Sequence, residues 1–277
     1  MGDFLEQIQQ LLGKLDSTRE LLIFALVMAR TMVMITLTPF IGGKMVPMEI
    51  KMGLGILLTL LVWPLARVSM TAEINVSPVD FILLMVTQVF IGFAIGFVAT
   101  HIFWAMDMAG RLIDTVRGAS MAEVMAPMSE SRVTPVGDMF VQLMVVIFVV
   151  SGGLGLFLDA FFYSFAQLPL NEGLQLGAGL EPFFELMLRL TGQILLLSTL
   201  IAAPVVAATF ITDVVFGILN RVAPQLNAYF MSMPVKAMAG IILILVAMDP
   251  LVARMRDFVV WTLQAVQQTL DLLASKA

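Results

Sequence analysis

Six apolar runs, at about residues 20–41, 52–68, 79–106, 138–167, 183–219 and 237–252, take up most of this chain. Several approach or exceed the ~20 residues that a helix needs to cross a bilayer. Apolar runs of that length pair their own backbone groups as helices. The expectation is an all-α, multi-helix membrane-type protein, its 277 residues forming a single domain. The runs are interrupted in ways that plain spans are not. Pro39 with Gly42 and Gly43, Pro64, Gly152 with Gly153, and Pro204 fall within them or at their edges. Proline lacks a backbone donor and crowds the preceding turn, so kinked helices folded into hairpins are expected. Arg30, Asp159 and Asp213 stand inside apolar sequence, where an unpaired charge costs about 2.5–3.5 kcal/mol on insertion scales.

Composition narrows the function classes. Hydrophobic residues make up 60% and charged residues only 13%, against about a quarter charged in soluble chains. Much of the surface must therefore face lipid or other subunits. A net charge of -5 leaves no basic footprint for nucleic acid. With no cysteine and the single histidine His101, disulfide frameworks, thiolate or histidine-cluster metal sites and a Ser-His-Asp triad are excluded. No P-loop pattern occurs, and no catalytic residue, cofactor or metal is expected. His101 reads as a packed residue near a helix end. The 22 methionines are adaptable filler suited to a deformable lining.

Lys and Arg should orient a membrane protein, but they divide evenly between alternate loops. One set holds Lys14, Arg19, Arg67, Arg254, Arg256 and Lys276; the other holds Lys44, Lys51, Arg111, Arg117, Arg132, Arg221 and Lys236. Either the helices form broken hairpins or the chain does not cross lipid as a simple serpentine. Residues 1–19 form an amphipathic pattern with acidic Asp3 and Glu6, unlike a cleavable signal peptide. From Arg254 onward Met255, Phe258, Val259, Leu263, Val266, Leu270 and Leu273 share a helical face, predicting a helix that leaves the apolar region to meet water or a partner. Gly92 and Gly96 form a close-packing step, Gly53 and Gly55 thin another helix, and Gln167–Pro182 reads as a solvent-facing turn.

Two polar stretches stand out. In the first, Asp107, Arg111, Asp114 and Arg117 alternate in sign along one helical face. Gly118, Ala119, Ser120, Met121, Ala122, Met125, Ala126, Pro127 and Met128 then suit a compact, adaptable loop or a broken helix tip. The second runs from Leu219 through Asn220, Arg221, Pro224, Gln225 and Asn227 to Pro234 and Lys236. Pro224 must break or turn the flanking helices. The amides of Asn220, Gln225 and Asn227 are expected to serve the carbonyls so freed.

These two stretches carry a family resemblance. Residues 219–237, LNRVAPQLNAYFMSMPVKA, resemble the signature of the SctT (YscT, SpaR) export-apparatus family of type III secretion and its flagellar counterpart FliR. Asp114, Arg117, Gly118, Ala119 and Ser120, then Glu123, Pro127, Thr134, Pro135 and Gly137, are more similar to SctT than to FliR; Ser151, Gly152 and Gly153, with Leu158, Asp159, Ala160 and Ser164 downstream, also resemble the family. Ala126 stands where an acidic residue commonly precedes the proline. The resemblance implies a non-enzymatic subunit of the bacterial inner membrane, at the core of the secretion basal body. It implies assembly with SctR-like and SctS-like subunits into a helical pore for unfolded secreted polypeptides, with an SctU-like switch protein at the base. Such subunits lie largely on the periplasmic side when assembled. A loop matching about residues 114–127 helps to plug the pore.

In the pore that the resemblance implies, Gly118 would allow the turn of that loop while Met121, Met125 and Met128 seal it by soft contact. Asn220, Arg221, Pro224, Gln225, Asn227, Pro234 and Lys236 read as a hinge at a subunit contact. The competing reading is a stand-alone secondary transporter using Arg30, Asp159 and Asp213 as ion sites.

Overall fold

A computed structural model describes residues 17–43, 46–70, 77–118, 134–171, 180–225 and 227–274. Among these residues the regular structure is entirely helical. The helices are α1 (Ser17–Leu37), α2 (Pro39–Gly42), α3 (Met48–Val68), α4 (Pro78–Val116), α5 (Pro135–Val150), α6 (Gly153–Gln167), α7 (Leu180–Val222), α8 (Ala228–Val246) and α9 (Met248–Ala274). The amphipathic segment expected at residues 1–19 lies outside the described residues up to Asp16.

The breaks fall at glycine more than at proline. Helices α3 and α7 continue through Pro64 and Pro204, because an apolar setting leaves the backbone no better choice than to stay helical. The 138–167 run instead becomes two helices. Gly152 takes φ +78, a left-handed conformation natural to glycine, and ends α5 with the Gly152 amide donating to Val149 O. Gly118 does the same after α4, with φ +84 and its amide donating to Thr115 O. A further break separates α8 from α9 at Ala247. There Pro250, in the first turn of α9, has no N–H to offer the preceding turn.

The chain divides into two compact units, each assembled from separated segments: residues 1–100, 154–186 and 263–277 in the first, residues 101–153 and 187–262 in the second. In the first unit α1 packs on α4 through the small-residue step. A Cβ built on Gly92 would overlap the Arg30 carbonyl, and one on Gly96 would lie 3.0 Å from the Leu37 side chain. Gly55 admits the Met32 side chain, whereas Gly53 faces open space. Leu26, Val27, Met34, Ile95, Val98, Phe157 and Phe161 are buried there. In the second unit Phe103, Met106, Ile113, Phe140, Met144, Phe148 and Met255 are buried. Phe103 and Phe148 meet edge to face at 5.7 Å.

Three expectations need correction. His101 is not near a helix end: it sits well inside α4, fully buried, its ring 4.7 Å from that of Trp261. Helix α4 runs on past the apolar stretch because the charges of its last turns pair with one another. Helix α9 is amphipathic as expected, but its apolar face does not await a partner: Met255, Val259, Val266 and Leu270 are buried within the protein, while Arg254, Arg256, Gln264, Gln267 and Asp271 opposite are exposed. Glu181 and Pro182 are not in a turn; they occupy the first turn of α7, where proline needs no donor and an acidic residue favours the dipole. Residues 172–179 lie outside the described residues.

Candidate functional site: a clamped loop base and an apolar hairpin

The end of α4 and the start of α5 bracket residues 119–133. Asp107 pairs with Arg111 at 3.0 Å, one turn apart on α4. Asp114 then serves both ends of the bracket. Its Oδ1 accepts from Arg117 Nη2 at 3.3 Å, and its Oδ2 accepts from the backbone N–H of Val136 at 3.0 Å. Val136 belongs to the first turn of α5, whose amides have no partner within the helix. A carboxylate there satisfies one of those donors and complements the positive end of the helix dipole. Gly110 and Gly137 make the approach possible, for a Cβ on Gly110 would overlap the Gly137 backbone.

The Asp114 and Arg117 side chains are 3% and 10% exposed. Arg117 crosses to α8 and lies on Gly240, where a Cβ would overlap its Cδ. Its Nε and Nη1 have no hydrogen-bond partner among the described residues. The expected charge alternation is thus present, but its main business is joining helices that are distant in sequence. Of the residues singled out for this loop, Asp114, Arg117 and Gly118 are described; Ala119, Ser120, Met121, Met125, Pro127 and Met128 lie outside the described residues.

The second stretch forms the turn of the α7–α8 hairpin. Helix α7 ends at Val222, Pro224 and Gln225 form a turn, and Asn227 precedes α8. Asn220, Arg221, Pro224, Gln225 and Asn227 are all exposed. Among the described residues these amides make no bond to a freed carbonyl, and Asn227 makes no side-chain cap bond. Each helix instead keeps its own end bonded, with Ala223 N donating to Leu219 O at 2.8 Å at the close of α7 and Met231 N to Asn227 O at 3.2 Å at the start of α8. Pro234 and Lys236 lie inside α8, beyond the turn. Lys236 pairs with Asp213 of α7, tying the two helices together. Around them Phe210, Ile211, Val215, Ile218, Phe230 and Ile242 are each at least half exposed.

Arg30, in the first unit, marks a different kind of site. It is fully buried. Its Nε donates to Gln88 Oε1 at 2.8 Å, Nη1 to Ser164 O and Oγ at 3.1 and 3.2 Å, and Nη2 to Leu168 O at 2.8 Å. Its guanidinium also lies 4.2 Å from the centre of the Phe165 ring. All these partners are neutral, so Arg30 staples α1, α4 and the end of α6. Asp159 is exposed, and Asp213 is engaged with Lys236. Each charge expected of a transporter is thus held in its own surroundings.

Five helices, at 19–37, 48–68, 78–116, 181–222 and 228–246, are long and apolar enough to cross a membrane. With their exposed apolar faces, they define an all-helical membrane protein. Residues 21–260 match the family described as bacterial export proteins, family 1, and the chain belongs to that family. It is 31% identical over 233 residues to Yop proteins translocation protein T of Yersinia pestis, covering 83% of this chain and 88% of that protein. It is 35% identical over 164 residues to the secretion system apparatus protein SsaT of Salmonella typhimurium, covering 59% and 62% of the two chains. It is 26% identical over 251 residues to the flagellar biosynthetic protein FliR of Bacillus subtilis, covering 90% and 95%.

Proposed function

We propose that this chain is a structural, non-enzymatic subunit of a type III secretion export gate in the bacterial inner membrane. With SctR-like and SctS-like subunits it builds the pore for unfolded polypeptides, and an SctU-like switch protein engages the base. The observation that carries this reading is the apolar α7–α8 hairpin, exposed on both helices and interrupted by a polar turn, in a chain of an export family.

Helix length supports a position partly outside the bilayer. At 1.5 Å per residue, the 39 residues of α4 and the 43 of α7 extend about 58 and 64 Å. That is roughly twice the ~30 Å hydrocarbon core. Both helices therefore need protein or water around part of their length. The injectisome role is favoured over the flagellar one by identities of 31% to Yersinia translocation protein T and 35% to Salmonella SsaT, against 26% to Bacillus FliR; Salmonella SpaR, at 25%, does not separate the two.

In this reading the segment from about 114 to 127 helps to plug the pore, and residues 220–236 contact a neighbouring subunit. Membranes solubilised in mild detergent should yield this chain together with two other small membrane proteins. Recovery of a lone, solute-transporting polypeptide would overturn the assignment. Deleting residues 117–127 should raise ion conductance through the reconstituted assembly, and an unchanged conductance would remove the plug. Replacing Pro224 or Arg221 should weaken assembly more than it changes leakage, visible on native gels.

A further inference from the structure

We propose that Asp114, Arg117 and Gly240 form a latch through which the position of helix α8 is felt where α4 ends and α5 begins. Asp114 holds two points at once, Arg117 three residues ahead on α4 and the Val136 amide 22 residues ahead on α5. Arg117 is positioned in turn by α8, because the absence of a side chain at Gly240 leaves room for its Cγ and Cδ against that helix. The arginine is less well secured otherwise: two of its buried nitrogens lack partners among the described residues, a costly state for a guanidinium. A small shift of α8 therefore displaces Arg117 from Asp114 and loosens the carboxylate that caps α5. Helix α8 is itself bound to α7 by Lys236 and Asp213 and exposes Phe230, Met238 and Ile242. Whatever grips this hairpin acts on the latch. Asp114 and Arg117 are positioning residues here, and Gly240 is the position that sets their geometry.

The coupling itself stands on these contacts; its extension to ion leakage rests on the plug reading above. The test uses the full chain in its native detergent-extracted assembly and reads amide hydrogen exchange at Val136. Gly240→Leu and Arg117→Ala should each speed that exchange about tenfold, as loss of a charge-assisted hydrogen bond predicts. The double variant should exchange no faster than Arg117→Ala alone, since the truncated side chain makes room for leucine. Gly240→Ala supplies a milder version should the leucine variant not fold. Gly217→Ala on α7, whose Cβ meets open space, should leave Val136 unchanged.

Additive effects in the double variant would overturn the latch. So would unchanged exchange at Val136 in both Gly240 variants. Conductance measured on the same samples separates the two ideas. Faster exchange with unaltered conductance supports the latch and removes the plug, whereas higher conductance in Gly240→Leu with Val136 still protected removes the latch and keeps the plug.

Discussion

Arg30 and Arg117 are both arginines shielded from solvent in a largely apolar chain, yet the chain treats them differently. Arg30 spends its donors on neutral oxygens of Gln88, Ser164 and Leu168 and stacks on Phe165. Among the described residues Arg117 has one carboxylate and two nitrogens without a partner. The first arrangement spreads the positive charge over several fixed dipoles, so no single movement releases it. The second depends on one ion pair and a glycine-sized gap. Saturation makes a rivet, and undersaturation makes a joint.

Removing each arginine should expose that difference. Arg30→Met is expected to have the largest effect, destabilising the protein by about 3–5 kcal/mol, because several buried acceptors lose donors at roughly 1–3 kcal/mol each. Thermal unfolding in detergent, or loss of yield, would register it. Gly92→Ala attacks the same rivet from the backbone side. It should cost about 1–3 kcal/mol by overpacking against the Arg30 carbonyl, read in the same melts.

Arg117→Met should cost less, about 1–3 kcal/mol: it strands the buried Asp114, but that carboxylate keeps the Val136 amide and the poorly partnered guanidinium no longer has to be buried. A loss equal to that of Arg30→Met would erase the distinction between the two sites. Lys236→Met, which unpairs the half-exposed Asp213, should change melting least, by about 0–1 kcal/mol.

Much of the fold could be read from residue order, because runs of apolar residues this long have little choice but helix. Gly118 and Gly152 could also be read as stops, since glycine takes positive φ without strain. Proline misled in one respect: Pro64 and Pro204 suggested breaks, but each loses a single hydrogen bond and leaves its helix unbroken. The amides at 220–227 misled for another reason. Apolar flanks implied burial within this chain, whereas the flanks themselves are exposed, and what covers them is another molecule or lipid. The charge alternation from Asp107 to Arg117 was visible in sequence. Its real partners were not, because Val136 contributes only a backbone amide and Gly240 contributes only an absence. Gln88 and Ser164 lie 58 and 134 residues from Arg30, and no local pattern marks them.

That last separation has a consequence for biogenesis. At roughly 5–20 residues per second of synthesis, the 134 residues between Arg30 and Ser164 take about 7–27 s to appear. Helix α1 emerges from the ribosome that long before the Ser164 and Leu168 carbonyls that will accept hydrogen bonds from its guanidinium exist. Until α6 has been translated, the newborn segment must keep its guanidinium in contact with headgroups, insertion machinery or water, so the final seating of α1 is a late event although its residues come first.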